Sequence, residues 1–213
     1  MNEYEKGLNP DTTLVCKLSK DGIIRYINPE YTMITGYTEN EIIGQPHTIL
    51  QDPRLPQVIQ NKVWDAIYSD KNNQTYFISK NYTKNGEFFW TVADIHTRFD
   101  DKKPTAIFIR RKFLPLELRV EFEDLFRILY EIETQGGGLK VSEKYYEGWL
   151  EDRDATSMSE YIVKRFGGKE KLEKYMNAEV SLEELFKVDP REMSIDEILK
   201  NVKKKKSIFR KLF

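Results

Sequence analysis

Few side chains here could do covalent, acid–base or metal chemistry. Cys16 is the single cysteine, and His47 and His96 are the only histidines. One thiol excludes an internal disulfide framework, and one thiol with two histidines falls short of a protein-built metal cluster. Cys16 alternates with Leu14 and Leu18, so it reads as a core residue, and nothing electropositive lies beside it in sequence to favour a reactive thiolate. Gly136, Gly137 and Gly138 lack the following Lys and Ser/Thr that a phosphate-binding loop requires. No set of nucleophile, base and orienting group stands out, and the many carboxylates are scattered over helix faces, where they serve capping and solubility. The chain is therefore expected not to be an enzyme. A kinase or cyclase output would also need far more than the roughly 75 residues after the glycines.

Bulk composition narrows the class further. The 213 residues carry 34 basic and 35 acidic side chains, so no chain-wide basic field argues for nucleic acid. Hydrophobic residues make up 39% and charged ones 32%, enough for a core and a large solvated helical surface. No run approaches the ~20 apolar residues of a membrane span. The start, Met1 to Lys6, is acidic and polar, unlike a signal peptide, so a cytoplasmic protein is expected.

The elements that must position any site follow from periodicity. Residues 1–11 read as an N-terminal cap. Residues 12–18 form a strand, Asp21-Gly22 turns it, and Ile23 to Ile27 returns as a hairpin. Asn28-Pro29 starts a short helix that Gly36 stops. Thr38 and Glu41 stand as a capping box, and Gly44 ends that turn. A longer amphipathic helix is expected over Pro56–Tyr68, burying Val58, Ile59, Val63, Trp64 and Ile67. Strands follow over Thr75–Tyr82, Glu87–Phe99 and Thr105–Arg111. On the long middle strand, Phe89, Thr91, Ala93, Ile95 and Thr97 share one face, whose small residues leave room for a ligand. The other face, Phe88, Trp90 and Val92, is too apolar for water and demands a cover, either a flanking helix or a partner subunit. His96 falls on that outer face. The whole is an α+β domain over residues 12–113, a five-stranded antiparallel sheet with helices on one face.

The remainder reads as a small all-α region. In residues 114–135, Leu118, Phe122, Leu125, Leu129 and Ile132 recur at spacings of 4, 3, 4 and 3, a heptad seam of about two turns of the repeat. Such a seam serves either a helix packed on the sheet or a dimeric signalling helix. Residues 136–139 read as a glycine linker, and 140–190 as short helices opened by Ser142, by Ser157 or Ser159, and by Ser181. Residues 191–213 end in a basic amphipathic helix; its 203–213 part is expected to touch an anionic membrane surface weakly, at the inner face of the plasma membrane.

Gly36-Tyr37-Thr38, Glu41-Ile42-Ile43-Gly44 and Asn81-Tyr82-Thr83-Lys84-Asn85-Gly86 resemble motifs of the PAS sensory family. Gly44-Gln45-Pro46-His47 is similar to the loop of its aerotaxis branch, which binds FAD. Gln51 stands where the related light-sensing LOV domains place a glutamine on their flavin, but Pro46-His47 replaces the Asn-Cys pair, so cysteine-adduct photochemistry is not implied. The aerotaxis pattern continues with Arg-His-Pro-Asp where this chain has Gln51-Asp52-Pro53-Arg54.

The resemblance implies a five-stranded PAS fold and a flavin site of Asn28, His47, Gln51, Asn81, Trp64, Phe89 and Thr91. The expected cofactor is FAD, with no cofactor or haem as alternatives. It implies a cytoplasmic redox, oxygen or energy sensor relaying to a separate chemoreceptor-like transducer. A homodimer through the outer sheet face and helix 114–135 is expected. The rival reading is a cofactor-free or small-molecule-binding PAS scaffold that positions a partner.

Overall fold

A computed structural model of the chain describes residues 5–7, 9–69 and 73–179. The expectations for Ser181 and for residues 191–213, including the basic segment 203–213, lie outside the described residues. Among the described residues, five strands and seven α-helices run in the order β1 (Leu14–Ser19), β2 (Ile24–Ile27), α1 (Pro29–Thr35), α2 (Glu39–Ile42), α3 (Gln57–Tyr68), β3 (Gln74–Tyr82), β4 (Phe88–Asp100), β5 (Lys103–Phe113), α4 (Leu116–Thr134), α5 (Gly138–Glu151), α6 (Met158–Arg165) and α7 (Lys169–Met176), with a 3-10 turn at His47–Leu50 between α2 and α3. The sheet order is β2-β1-β5-β4-β3, every pair antiparallel.

Local chemistry explains the boundaries. Gly36 takes φ +74° after α1 and returns its N–H to the Thr32 carbonyl, a left-handed stop that costs other residues more. At the start of α2 the Glu41 carboxylate accepts from both the backbone N–H and the hydroxyl of Thr38, each at 3.0 Å. Ser157 caps α6 by accepting from the Glu160 N–H at 3.1 Å.

The alternation of β4 separates two layers. Its inner face, with Phe89, Thr91, Ala93 and Ile95 buried, lies under α3 and the 3-10 turn. Its outer face carries Trp90 and Val92, and it is covered by this chain's own helices. The Trp90 ring sits 5.9 Å from Phe126 of α4, the Ser159 hydroxyl of α6 accepts from the Tyr76 N–H at 3.0 Å, and the Tyr175 hydroxyl of α7 donates to the Phe113 carbonyl at 2.8 Å. The seam residues Leu118, Phe122, Leu125 and Leu129 are all buried in this layer. Phe122 touches the rings of Phe126, Trp149 and Tyr161.

The apolar outer face at Trp90 and Val92 and the seam of α4 are covered by α4, α6 and α7 of the same chain, so a flanking helix answers the need for a cover there. Two expectations change. The glycine stretch is a tight helix–helix turn rather than a linker: Gly136 and Gly138 take φ +101° and +67°, and a Cβ on Gly137 would lie 2.7 Å from the Ile132 side chain. Ser142 does not open a helix; α5 begins at Gly138, and Ser142 is buried within it.

Candidate functional site

Between the inner sheet face and α3 lies a cavity of about 60 Å³. The sheet contributes Leu18, Phe77, Ser79, Asn81, Ala93, Ile95, Ile109 and Arg111; α3 contributes Val63, Trp64 and Ile67; the preceding loop contributes His47 and Gln51. Strand register explains the convergence, since Ala93 is paired with Phe77 on one side and Arg111 on the other. The result is an apolar slot with a polar end.

At the polar end the Asn81 amide donates to the hydroxyls of Ser79 (3.0 Å) and Thr91 (3.3 Å), and Ser79 and Thr91 bond each other at 3.2 Å. Gln51 is bridged to Asn81 through backbone pairing, which brings the two amide-bearing positions together. His47 meets Trp64 edge to face at 5.3 Å, and Trp64 stacks on Tyr68 at the same centroid distance. Burial, with the Arg111 charge second, lowers the His47 pKa to about 4, so the ring is neutral near pH 7. Arg111 donates to the Cys16 sulfur at 3.3 Å, and Cys16 itself is fully buried in the core as its spacing implied.

The structure thus brings His47, Gln51, Asn81 and Trp64 to one cavity. Thr91 stands just behind, holding Asn81, while Phe89 is buried on the same face opposite Asn81 and outside the cavity wall. Asn28 does not join them. Its amide oxygen accepts from the Val15 N–H (2.9 Å) and its nitrogen donates to the Thr13 carbonyl (2.8 Å) and to Glu30 (2.7 Å), so it latches α1 to β1 and borders a separate surface groove. His96 is on the outer face as expected, 3.0 Å from Asp94. Among the described residues no group of three His, Cys, Asp or Glu side chains could hold a metal.

Two residues not singled out from sequence complete the arrangement. Arg111 follows Ile107 and Ile109 in the β5 alternation, so its inward position was readable. Glu133, near the end of α4, was not. Its carboxylate accepts from the backbone N–H groups of Gln57 (2.6 Å) and Val58 (3.0 Å) at the N-terminus of α3, and from the Ser142 hydroxyl of α5 (2.8 Å). A carboxylate at a helix N-terminus satisfies orphan donors and complements the helix dipole. The helix that forms one wall of the cavity is therefore tied at its end to both α4 and α5. Lys62 of α3 adds a 2.7 Å ion pair to Glu143 of α5.

The geometry sits in a stretch that matches a known family: residues 10–110 fit the family described as "PAS domain". Residues 10–110 are a PAS domain. Curated relatives of this PAS domain include the bacterioopsin transcriptional activator of Halobacterium salinarum, 30% identical over 113 residues (50% of this chain, 16% of that protein). The aerotaxis receptor of Escherichia coli is 31% identical over 94 residues (44% and 18%), and phototropin-2 of Oryza sativa subsp. japonica 32% over 89 residues (42% and 10%). The matched PAS stretch thus spans less than a fifth of each of these relatives. Among solved structures, the PAS domain has counterparts in the aureochrome1 LOV domain in its light state (TM-score 0.45, 21% identity, 52% of this chain and 91% of that one) and in a PAS domain from Colwellia psychrerythraea (TM-score 0.42, 19%, 47% and 86%).

The flavin expectation meets this cavity with mixed success. The amides and hydroxyls at the polar end suit the donor and acceptor edge of a flavin ring. The volume does not suit its three rings, because ligand sites of that class run to ~300 Å³ or more. Among the described residues no helix is long and apolar enough to cross a membrane.

Proposed function

We propose that this PAS domain is the sensory part of a signal-transduction protein, and that the state of its inner cavity is passed along α3 to the helical half. The observation that carries the reading is the double duty of α3. One face walls the cavity through Val63, Trp64 and Ile67, while its N-terminus is held by Glu133 of α4, which also grips Ser142 of α5. An occupant packed against Val63, Trp64 and Ile67 shifts α3, and a shifted α3 strains the Glu133 contacts. The outer layer α4–α7 is then the output side, offered to a separate transducer as in an energy-taxis pathway.

A substitution that mimics occupancy tests this. Ala93→Leu adds bulk at the cavity floor, and amide exchange in α5, on the far side of α3, should change; exchange altered only in β4 and its paired strands would sink the proposal.

A second reading, an FAD-based redox sensor, is supported by the Asn81 and Gln51 pairing and by the aerotaxis-type Gly44–His47 loop. It requires the His47–Trp64–Tyr68 stack to move outward to admit the ring. The visible absorption spectrum of the purified chain decides it, since a flavin band establishes that occupant and its absence removes it.

A further inference from the structure

Among the described residues, Arg111 is a buried cation with no carboxylate partner. It is 8% exposed, and its Nε has no hydrogen-bond partner. Its one side-chain hydrogen bond goes to the Cys16 sulfur, a weak acceptor. A guanidinium cannot shed its proton to relieve the cost of burial. Other buried charges have answers. Asp94 meets Arg110 and His96, Glu121 meets Arg153 and Arg165, Lys80 lies 3.7 Å from Asp52, and Lys112 sits beneath the Tyr175 ring at 4.6 Å. Around Arg111 the polar neighbours are Cys16, Tyr31 and His47, and no carboxylate pairs with it among the described residues. Arg111 lines the cavity that also presents Gln51, Ser79 and Asn81.

We infer that this cavity is a binding site for a small carboxylate, whose anionic oxygens face Arg111 and whose short carbon end lies against Val63, Ile67, Ile95 and Ile109. A planar carboxylate matches the fork of a guanidinium, and the Gln51 side-chain amide lining the same cavity supplies a further donor. The size is set by the space. At ~10–15 Å³ of such volume per water-sized atom, the cavity takes roughly four to six non-hydrogen atoms, the range from acetate to pyruvate. The inference rests on the sensory reading only in using the same cavity, and it names the chemistry that the cavity would sense.

The test is thermal unfolding of the full chain with sodium acetate, propionate or pyruvate. Sodium chloride at equal ionic strength and acetamide, the uncharged counterpart of acetate, are the controls. At least one carboxylate should raise the midpoint saturably by about 3–5 °C, with no response to acetamide. Arg111→Met, which removes the unpaired charge, should abolish that response while unfolding at or above the wild-type midpoint without ligand. The acetate–acetamide contrast on the wild-type chain stands on its own if that variant does not fold. No carboxylate response, an equal response to acetamide, or an equal response in a folded Arg111→Met chain overturns the inference. Because the coupling through Glu133 is read in the ligand-free protein, loss of the carboxylate site and loss of the sensory reading are separate results.

Discussion

Removing the Glu133 carboxylate should loosen α3 from the helical half. In Glu133→Ala, the N–H groups of Gln57 and Val58 lose an ionised acceptor, and the buried Ser142 hydroxyl loses its partner. An N-terminal cap is worth about 0.5–2 kcal/mol, and an unsatisfied buried hydroxyl costs about 1–3 kcal/mol. The Gln57 bond lies at an exposed position, which places the cap at the low end of its range. The expected loss is about 2–3 kcal/mol in urea unfolding. Glu133→Gln, which keeps an acceptor oxygen, should lose about 1 kcal/mol. Because ~1.4 kcal/mol is tenfold in an equilibrium constant, amide exchange at Val58 should quicken at least tenfold in Glu133→Ala. Glu131→Ala removes an exposed carboxylate that pairs with Arg127 in its own helix, and it should cost under ~0.5 kcal/mol. If Glu133→Ala and Glu131→Ala behave alike, or if Val58 exchange is unchanged, the latch does not exist.

Two further perturbations probe the layers on either side. Phe122→Ala empties a fully buried site against Phe126, Trp149 and Tyr161, so urea unfolding should show a loss of about 3–5 kcal/mol; a loss below 1 kcal/mol would mean that the outer layer is not packed as described. His47 is held neutral, with its folded pKa lowered from 6.5 to about 4, so below pH 6.5 the unfolded chain binds a proton that the folded chain refuses. Stability therefore falls as pH drops from 6.5 towards 4, by at most about 3 kcal/mol from this group. His47→Gln should remove that part of the slope in urea titrations at pH 7 and 4.5, whereas an unchanged slope would assign the acid sensitivity to other groups.

How much of this was legible depended on the range of the interaction. The five strands and the helices α1 to α3 were readable because alternation, the Gly36 stop and the Thr38–Glu41 box are local signals. The cavity wall was half readable: Ala93 and Ile95 follow from alternation on β4, and the same rule applied to β5 would have placed Arg111 beside them. Asn28 lies apart from the cavity because an asparagine before a helix has a structural use as strong as a ligand-binding one, and here its amide is engaged by Thr13, Val15 and Glu30. The seam of α4 was ambiguous in principle, since an apolar stripe packs equally well on a partner or on the domain's own sheet. Glu133 could not be found at all. It meets Val58 across 75 positions of sequence, and nothing local marks one carboxylate among so many.

The coupling itself is most directly measured by a double-mutant cycle between Ala93, on the cavity floor, and Glu133, at the far end of α3. Unfolding free energies are needed for wild type, Ala93→Leu, Glu133→Ala and the double variant. Sites without shared partners add to within about 0.3–0.5 kcal/mol. If cavity bulk acts on the helical half by straining the Glu133 contacts, the double variant should be more stable than the sum of the two losses predicts, by about 1 kcal/mol. Additive losses would contradict transmission through α3.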